Sequence, residues 1–193
     1  DYSSPFKDRP DTDDNGEDIE RIDKAAGSSA IEAVNVDTNV NVIYRAQIRG
    51  SYWLPEVVND EDYAGIQGTG ITRITLSTDK GYAVYRVYAG GRWLSYVDSR
   101  NSDINDYYNG YAGNGAEIEA VEVYYYTPAS LLINEATPYA TLKDGRYHYA
   151  YYRVSRKNMD YYSYQTDNET DNGQDGYAGI IGRKIDRFQI IIK

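Results

Sequence analysis

Apolar and polar residues alternate with a period of two along much of the chain. Val36, Val40, Val42, Tyr44, Ala46 and Ile48 mark one such stretch. In another, Val84, Arg86 and Tyr88 alternate with Tyr85, Val87 and Ala89, and Gln189 to Lys193 carries Ile190-Ile191-Ile192. Period two is the signature of strands that send every second side chain into a core. Turn residues interrupt the pattern at short intervals, among them Arg49-Gly50, Gly68-Thr69-Gly70, Asp79-Lys80-Gly81, Gly90-Gly91, Asn109-Gly110 and Lys143-Asp144-Gly145. The weak Ile19-Ile22-Ala26 spacing is the one helical hint. The pattern predicts an all-β chain.

The same landmarks recur in the same order. Tyr63-Ala64-Gly65, Tyr111-Ala112-Gly113 and Tyr177-Ala178-Gly179 each precede an apolar-x-x-apolar-x-apolar run: Ile71-Ile74-Leu76, Ile118-Val121-Val123 and Ile185-Phe188-Ile190. Upstream of each lies a Tyr-Arg pair (Tyr44-Arg45, Tyr85-Arg86, Tyr152-Arg153), followed eight or nine residues on by Trp53, Trp93 or Tyr161. A further copy of the last element precedes them, Ile31-x-x-Val34-x-Val36 after Ala26-Gly27. We therefore divide residues 25–193 into three units, about 31–70, 71–117 and 118–184, with a closing strand at 185–192. Units of about four short strands that share one core imply a β-trefoil-like closed architecture, which also removes exposed edges.

Residues 1–24 break the pattern. They hold nine acidic and four basic residues, half of the net charge of −10, and Pro5 and Pro10 interrupt any helix. An acidic N-terminal arm or linker is expected here. The charge leaves no surplus of Lys and Arg for nucleic acid or an anionic membrane surface, and no apolar run is long enough to span a bilayer. The absence of cysteine excludes disulfides, thiolate catalysis and Cys-based zinc sites. The chain opens at Asp1 without Met or a leader, which reads as a processed secreted protein or a trimmed one. An extracellular location is the expectation. The 23 Tyr, against 2 Phe and 2 Trp, fit a β core but also suit wet, half-buried binding faces.

The units resemble the clostridial hydrophobic repeats with a characteristic tryptophan, and related tryptophan-containing repeats of secreted bacterial cell-wall proteins. The likeness rests on Tyr85-Arg86-Val87-Tyr88, Gly91-x-Trp93-Leu94, Tyr111-Ala112-Gly113 and Ile118 to Val123. It continues in Tyr44-Arg45, Trp53-Leu54-Pro55 and Ala64 to Gly68, while the third unit replaces Trp by Tyr161. The resemblance implies extracellular attachment to a cell envelope, a carbohydrate or a partner protein.

Catalytic chemistry is poorly supplied. His148, the sole histidine, sits between Tyr147 and Tyr149 with no Gly-x-Ser-x-Gly elbow in the chain, and Gly68-x-Gly70 leads into a strand rather than a helix. No enzymatic activity is expected. Calcium is the metal candidate: Asp11, Asp13, Asn15 and Glu17 place oxygen ligands at alternate positions, with Gly16 at the sixth, although Ile22 occupies the place of the bidentate acid. An acidic arm without metal is the plainer reading.

Acids or amides precede each Tyr-Ala-Gly corner. Asp62 stands before Tyr63, Asn109 before Tyr111 and Asp175 before Tyr177, the last two after the longer acidic stretches Asp103 to Asp106 and Asp167 to Asp175. Turn preference explains such residues on its own. Carboxylates and amides beside an aromatic face also suit a saccharide. Trp53 and Trp93 fit core or rim packing and, beyond that, ligand platforms. The sequence thus points to a non-catalytic secreted module for cell-envelope polysaccharide or peptidoglycan glycan. The alternative is a protein-interaction module, such as an inhibitor or an accessory domain, using the Tyr124 to Tyr149 insertion.

Overall fold

The computed structural model describes residues 40–50, 52–126 and 148–193. All of them are strand, turn or loop, and no helix occurs among them. The all-β expectation holds. Twelve strands follow in order: β1 (Val42–Ile48), β2 (Val57–Val58), β3 (Ala64–Gly65), β4 (Ile71–Thr78), β5 (Tyr82–Ala89), β6 (Arg92–Trp93), β7 (Val97–Asp98), β8 (Ile118–Tyr126), β9 (Ala150–Arg156), β10 (Gln165–Thr166), β11 (Ala178–Gly179) and β12 (Ile185–Ile192).

Three long antiparallel pairs, β1–β4, β5–β8 and β9–β12, carry the architecture. Their alternation is legible in burial: Val42, Tyr44, Ala46 and Ile48 point inward from β1, and Ala83, Tyr85, Val87 and Ala89 from β5. All nine members of the apolar triplets, from Ile71 through Ile190, have no exposed surface. Each pair shifts register near one end, between Gln47 and Ile48, Tyr88 and Ala89, or Ile185 and Arg187. Such bulges bend a strand and strengthen its twist.

The expected single closed sheet is absent among the described residues. The strands form three separate sheets, ordered β2-β1-β4, β10-β9-β12-β3 and β11-β8-β5-β6, with β7 on β5. The reason lies at β4 and β5. Only residues 79–81 separate them, yet β4 takes its ladder from β1 and β5 takes its own from β8. Between sheets the contact is made by side chains: Val40, Tyr44, Ile74, Val121, Tyr152, Phe188 and their neighbours form one core.

The Tyr-Ala-Gly corners stitch the sheets together. Ala64 lies in sequence between β1 and β4, but its strand pairs with Phe188 of β12. Ala112, between β5 and β8, bridges to Ile74 of β4, and Ala178, between β9 and β12, pairs with Val121 of β8. Glycine is required at these corners for two reasons. Gly65, Gly113 and Gly179 have φ of 119°, 125° and 108°, and a Cβ on them would lie 2.1, 2.3 and 2.4 Å from the backbone oxygens of Asp186, Thr72 and Glu119.

Buried tyrosines join the sheets a second time. The Tyr44 and Tyr152 hydroxyls donate to the carbonyls of Asn59 and Asp167, each at 2.6 Å. The Val123 amide of β8 donates to the Tyr152 hydroxyl of β9 at 3.0 Å, and the Leu76 amide of β4 reaches that of Tyr85 at 3.4 Å. Burial pushes the Tyr85 phenol up to about 12 and holds that of Tyr152 well above its ordinary value. These hydroxyls are therefore neutral hydrogen-bonding groups across the physiological range.

Candidate functional site

Each central tyrosine is followed by an arginine that points out of the core, because successive strand residues face opposite sides. Arg45 lies over the Trp53 ring at 5.7 Å, Arg86 over Trp93 at 4.6 Å and Arg153 over Tyr161 at 4.1 Å. Trp53 bridges to Gln47 of β1, Trp93 pairs with Tyr88 of β5, and Tyr161 bridges to Ser155 of β9. Sequence order and sheet pairing thus bring the Tyr-Arg landmark and the aromatic landmark into contact.

The corner tyrosines complete these clusters from the segment that joins the strands of another long pair. Tyr111 meets Trp53 edge-on at 5.5 Å, and Tyr177 meets Trp93 at 5.2 Å. Arg187 lies between Tyr63 and Tyr161, at 5.9 and 4.9 Å from their rings. Tyr111 and Tyr177 are half-buried and Tyr63 is 36% exposed. The corner rings therefore stand at the surface with one face committed to packing. Trp53 and Trp93 are likewise half-buried. Asp62, Asn109 and Asp175 are exposed, and Asp62 accepts the Tyr63 amide at 2.8 Å as a turn residue does.

The acids deepest in the structure hold loops. Asp186, with no exposed surface, accepts from the Ser155 hydroxyl at 2.6 Å and from the amides of Gly68 and Asn158 at 2.7 and 2.8 Å. Burial raises its carboxyl, but those amides, Ser155 and Arg187 outweigh it and leave it below the ordinary value. Glu119 is held low chiefly by Lys184 at 2.8 Å, against the opposing effect of burial. Glu122 pairs with Arg86 at 2.6 Å and accepts the Tyr96 hydroxyl at 2.7 Å.

Sequence reasoning read Asp103 to Asp106 as an acidic turn and overlooked the residues it supports. The Asp106 carboxylate accepts the Asn101 side chain and the amides of Tyr108 and Asn109, which together hold it below the ordinary value against a smaller effect of burial. Asp103 caps the Asn105 amide, and Asn101 the Asp103 amide. The loop is stiffened by its own short side chains. On it Tyr107 and Tyr108 are 76% and 90% exposed. The adjacent Tyr-Tyr at a turn was the available signal, since two neighbours in a strand cannot both face one core.

Beside this loop lies a cleft of about 160 Å3 lined by Arg45, Glu56, Thr75, Ser77, Ser102 and Asp103, among others. His148 is half-buried. Among the described residues no group of three His, Cys, Asp or Glu is placed to hold a metal. The calcium candidates Asp11, Asp13, Asn15 and Glu17 lie outside the described residues, as do 127–147 of the tyrosine-rich insertion. Comparison of the chain with protein-family models, curated proteins and solved structures found no match to any of them.

Proposed function

We propose that this chain is a non-catalytic, secreted binding module that attaches to cell-envelope polysaccharide or peptidoglycan glycan. The observation that carries the reading is the stiff loop 101–110, which presents Tyr107 and Tyr108 to solvent next to a cleft of mixed polar and apolar lining. Exposed rings on a self-braced loop do nothing for the core, whereas flat apolar faces beside hydrogen-bonding groups suit sugar rings. The three arginine–aromatic clusters add half-exposed faces of the same kind.

In this reading residues 31–184 are three copies of one unit arranged in a trefoil-like way about a pseudo-threefold axis, with 185–192 closing the third. The cyclic order in which the corners pair with foreign strands supports it, as do the corner glycines. Weak sites on a rigid support would act by avidity on a polymer. Calcium at Asp11, Asp13, Asn15 and Glu17 belongs to the same proposal.

The test is co-sedimentation with insoluble peptidoglycan and with neutral polysaccharide, with and without chelator, for the wild type and for Tyr107→Ala/Tyr108→Ala. Retention of the wild type and its loss in the double variant, at unchanged thermal stability, is the expected result. A second reading, docking to a protein partner, is favoured by the same exposed Tyr pair, which is also paratope chemistry. A blank glycan array together with capture of a single protein partner decides for it.

A further inference from the structure

Sheet register makes Glu56, Tyr96 and Tyr164 equivalent positions. Each immediately precedes the residue that pairs with a central tyrosine: Val57 with Tyr44, Val97 with Tyr85, and Gln165 with Tyr152. Two of the three place a ring on the neighbouring arginine. The Tyr96 ring lies 4.5 Å from the Arg86 guanidinium and the Tyr164 ring 4.7 Å from that of Arg153. Each of these hydroxyls reaches the residue opposite its arginine, Glu122 at 2.7 Å and Gln189 at 3.5 Å. At the first pair the ring is missing. Glu56 stands in its place, and the residue opposite Arg45 is Thr75, whose hydroxyl donates to the Gly110 carbonyl at 2.7 Å. Arg45 donates its Nε to the Leu54 carbonyl at 3.0 Å and lines the cleft of about 160 Å3.

We infer that this cleft between Arg45, Glu56 and Asp103 is a monosaccharide subsite for an uncharged pyranose, seated where the other two strand pairs carry a tyrosine ring. The inference rests on the glycan-binding reading and names its site and ligand class. The two filled slots show that a six-membered ring with a hydroxyl at its edge fits over an arginine here. The lining discriminates between ring types. A phenol has one hydroxyl to satisfy, whereas this cleft is lined by Arg45, Glu56, Asp103, Ser77 and Ser102 together with the aliphatic Ile43, Leu76 and Ile104, the mixture of polar groups and apolar surface that the hydroxyls and C–H faces of a sugar ring use. Two acids against one arginine disfavour uronic acids and phosphosugars. The volume is below the roughly 300–1,000 Å3 of pockets for drug-sized ligands, in keeping with one sugar residue. Ser102 and Asp103 belong to the loop that carries Tyr107 and Tyr108, so a chain leaving the subsite has exposed rings beside it.

The experiment is a titration of soluble chitotriose, maltotriose and trigalacturonate into the wild type and Glu56→Tyr, followed by amide chemical shifts and read beside sedimentation on insoluble peptidoglycan and neutral polysaccharide. Glu56→Tyr restores the ring found at the other two positions. It is expected to keep or raise the melting temperature and to weaken neutral-oligosaccharide binding by about tenfold or more. The wild-type shifts should centre on Arg45, Thr75 and Ser102, with trigalacturonate the weakest ligand. Binding of a neutral trisaccharide that is unchanged in Glu56→Tyr, or that shifts residues elsewhere, overturns the subsite while leaving polysaccharide attachment standing. Wild-type protein that sediments with no polysaccharide and binds no trisaccharide overturns both.

Discussion

The Val123 amide donates to the hydroxyl of Tyr152 across strands that share no ladder, β8 and β9. The same hydroxyl donates to the Asp167 carbonyl at 2.6 Å, so one phenolic oxygen joins a strand of one sheet to a loop of another. Tyr152→Phe leaves a buried amide and a buried carbonyl without this partner. The expected loss is about 1–3 kcal/mol in urea denaturation, and Tyr85→Phe, whose bond is the longer 3.4 Å, should lose less. Equal losses would remove hydroxyl bonding as the cause.

Gly113→Ala should destabilise strongly. It forces a side chain into φ 125° and places Cβ 2.3 Å from the Thr72 oxygen. Gly91, at φ 82°, has open space around it, so Gly91→Ala carries only the conformational part. Melting curves should show Gly113→Ala lower by about 1–3 kcal/mol, and Gly91→Ala by less.

Trp93→Ala removes a ring that touches Tyr88 and Arg86 of β5 and, from the segment between β9 and β12, Tyr177. A loss of about 1–3 kcal/mol is expected for this half-buried residue. The double variant Trp93→Ala/Tyr177→Ala should lose less than the two single losses added, because they share one contact. Strict additivity in equilibrium unfolding counts against a coupled cluster.

Acid should weaken the fold through Asp186. Its folded carboxyl lies below the ordinary 3.8, so the unfolded chain takes up the proton first as pH falls. Its contribution is therefore complete above the unfolded value and is lost as pH drops through the folded one. Asp186→Asn should cost most near pH 6, and the gap to the wild type should narrow toward pH 3. A gap that widens with acid, measured by urea denaturation, contradicts the assignment.

Much of the fold was legible because burial in a strand follows period two. Val42, Tyr44, Ala46 and Ile48 announce their inward face, and the nine apolar triplet positions are all buried. The corners were legible as recurrences, but not their partners. Nothing local to Tyr63-Ala64-Gly65 says that it pairs with Phe188 rather than with its sequence neighbours. The corner rings therefore read as free ligand faces, where each is partly committed to packing. Loop 101–110 was hidden for the opposite reason. Its acids had a sufficient local explanation in turn formation, and exposure of Tyr107 and Tyr108 appears only once the loop is placed.

The pairing of Ala64 with Phe188 has a consequence for biosynthesis. The Gly68 amide waits for the Asp186 carboxylate, 118 residues further along. A chain emerging from the ribosome can zip β1 against β4 while synthesis continues, but the first corner has no strand to rest on until β12 follows. Contacts of such sequence separation are slow to close, because the intervening chain must surrender its entropy first. Up to that moment the nascent domain presents an unpaired edge and an open core, which makes the interval before β12 emerges an aggregation-prone stage of its synthesis.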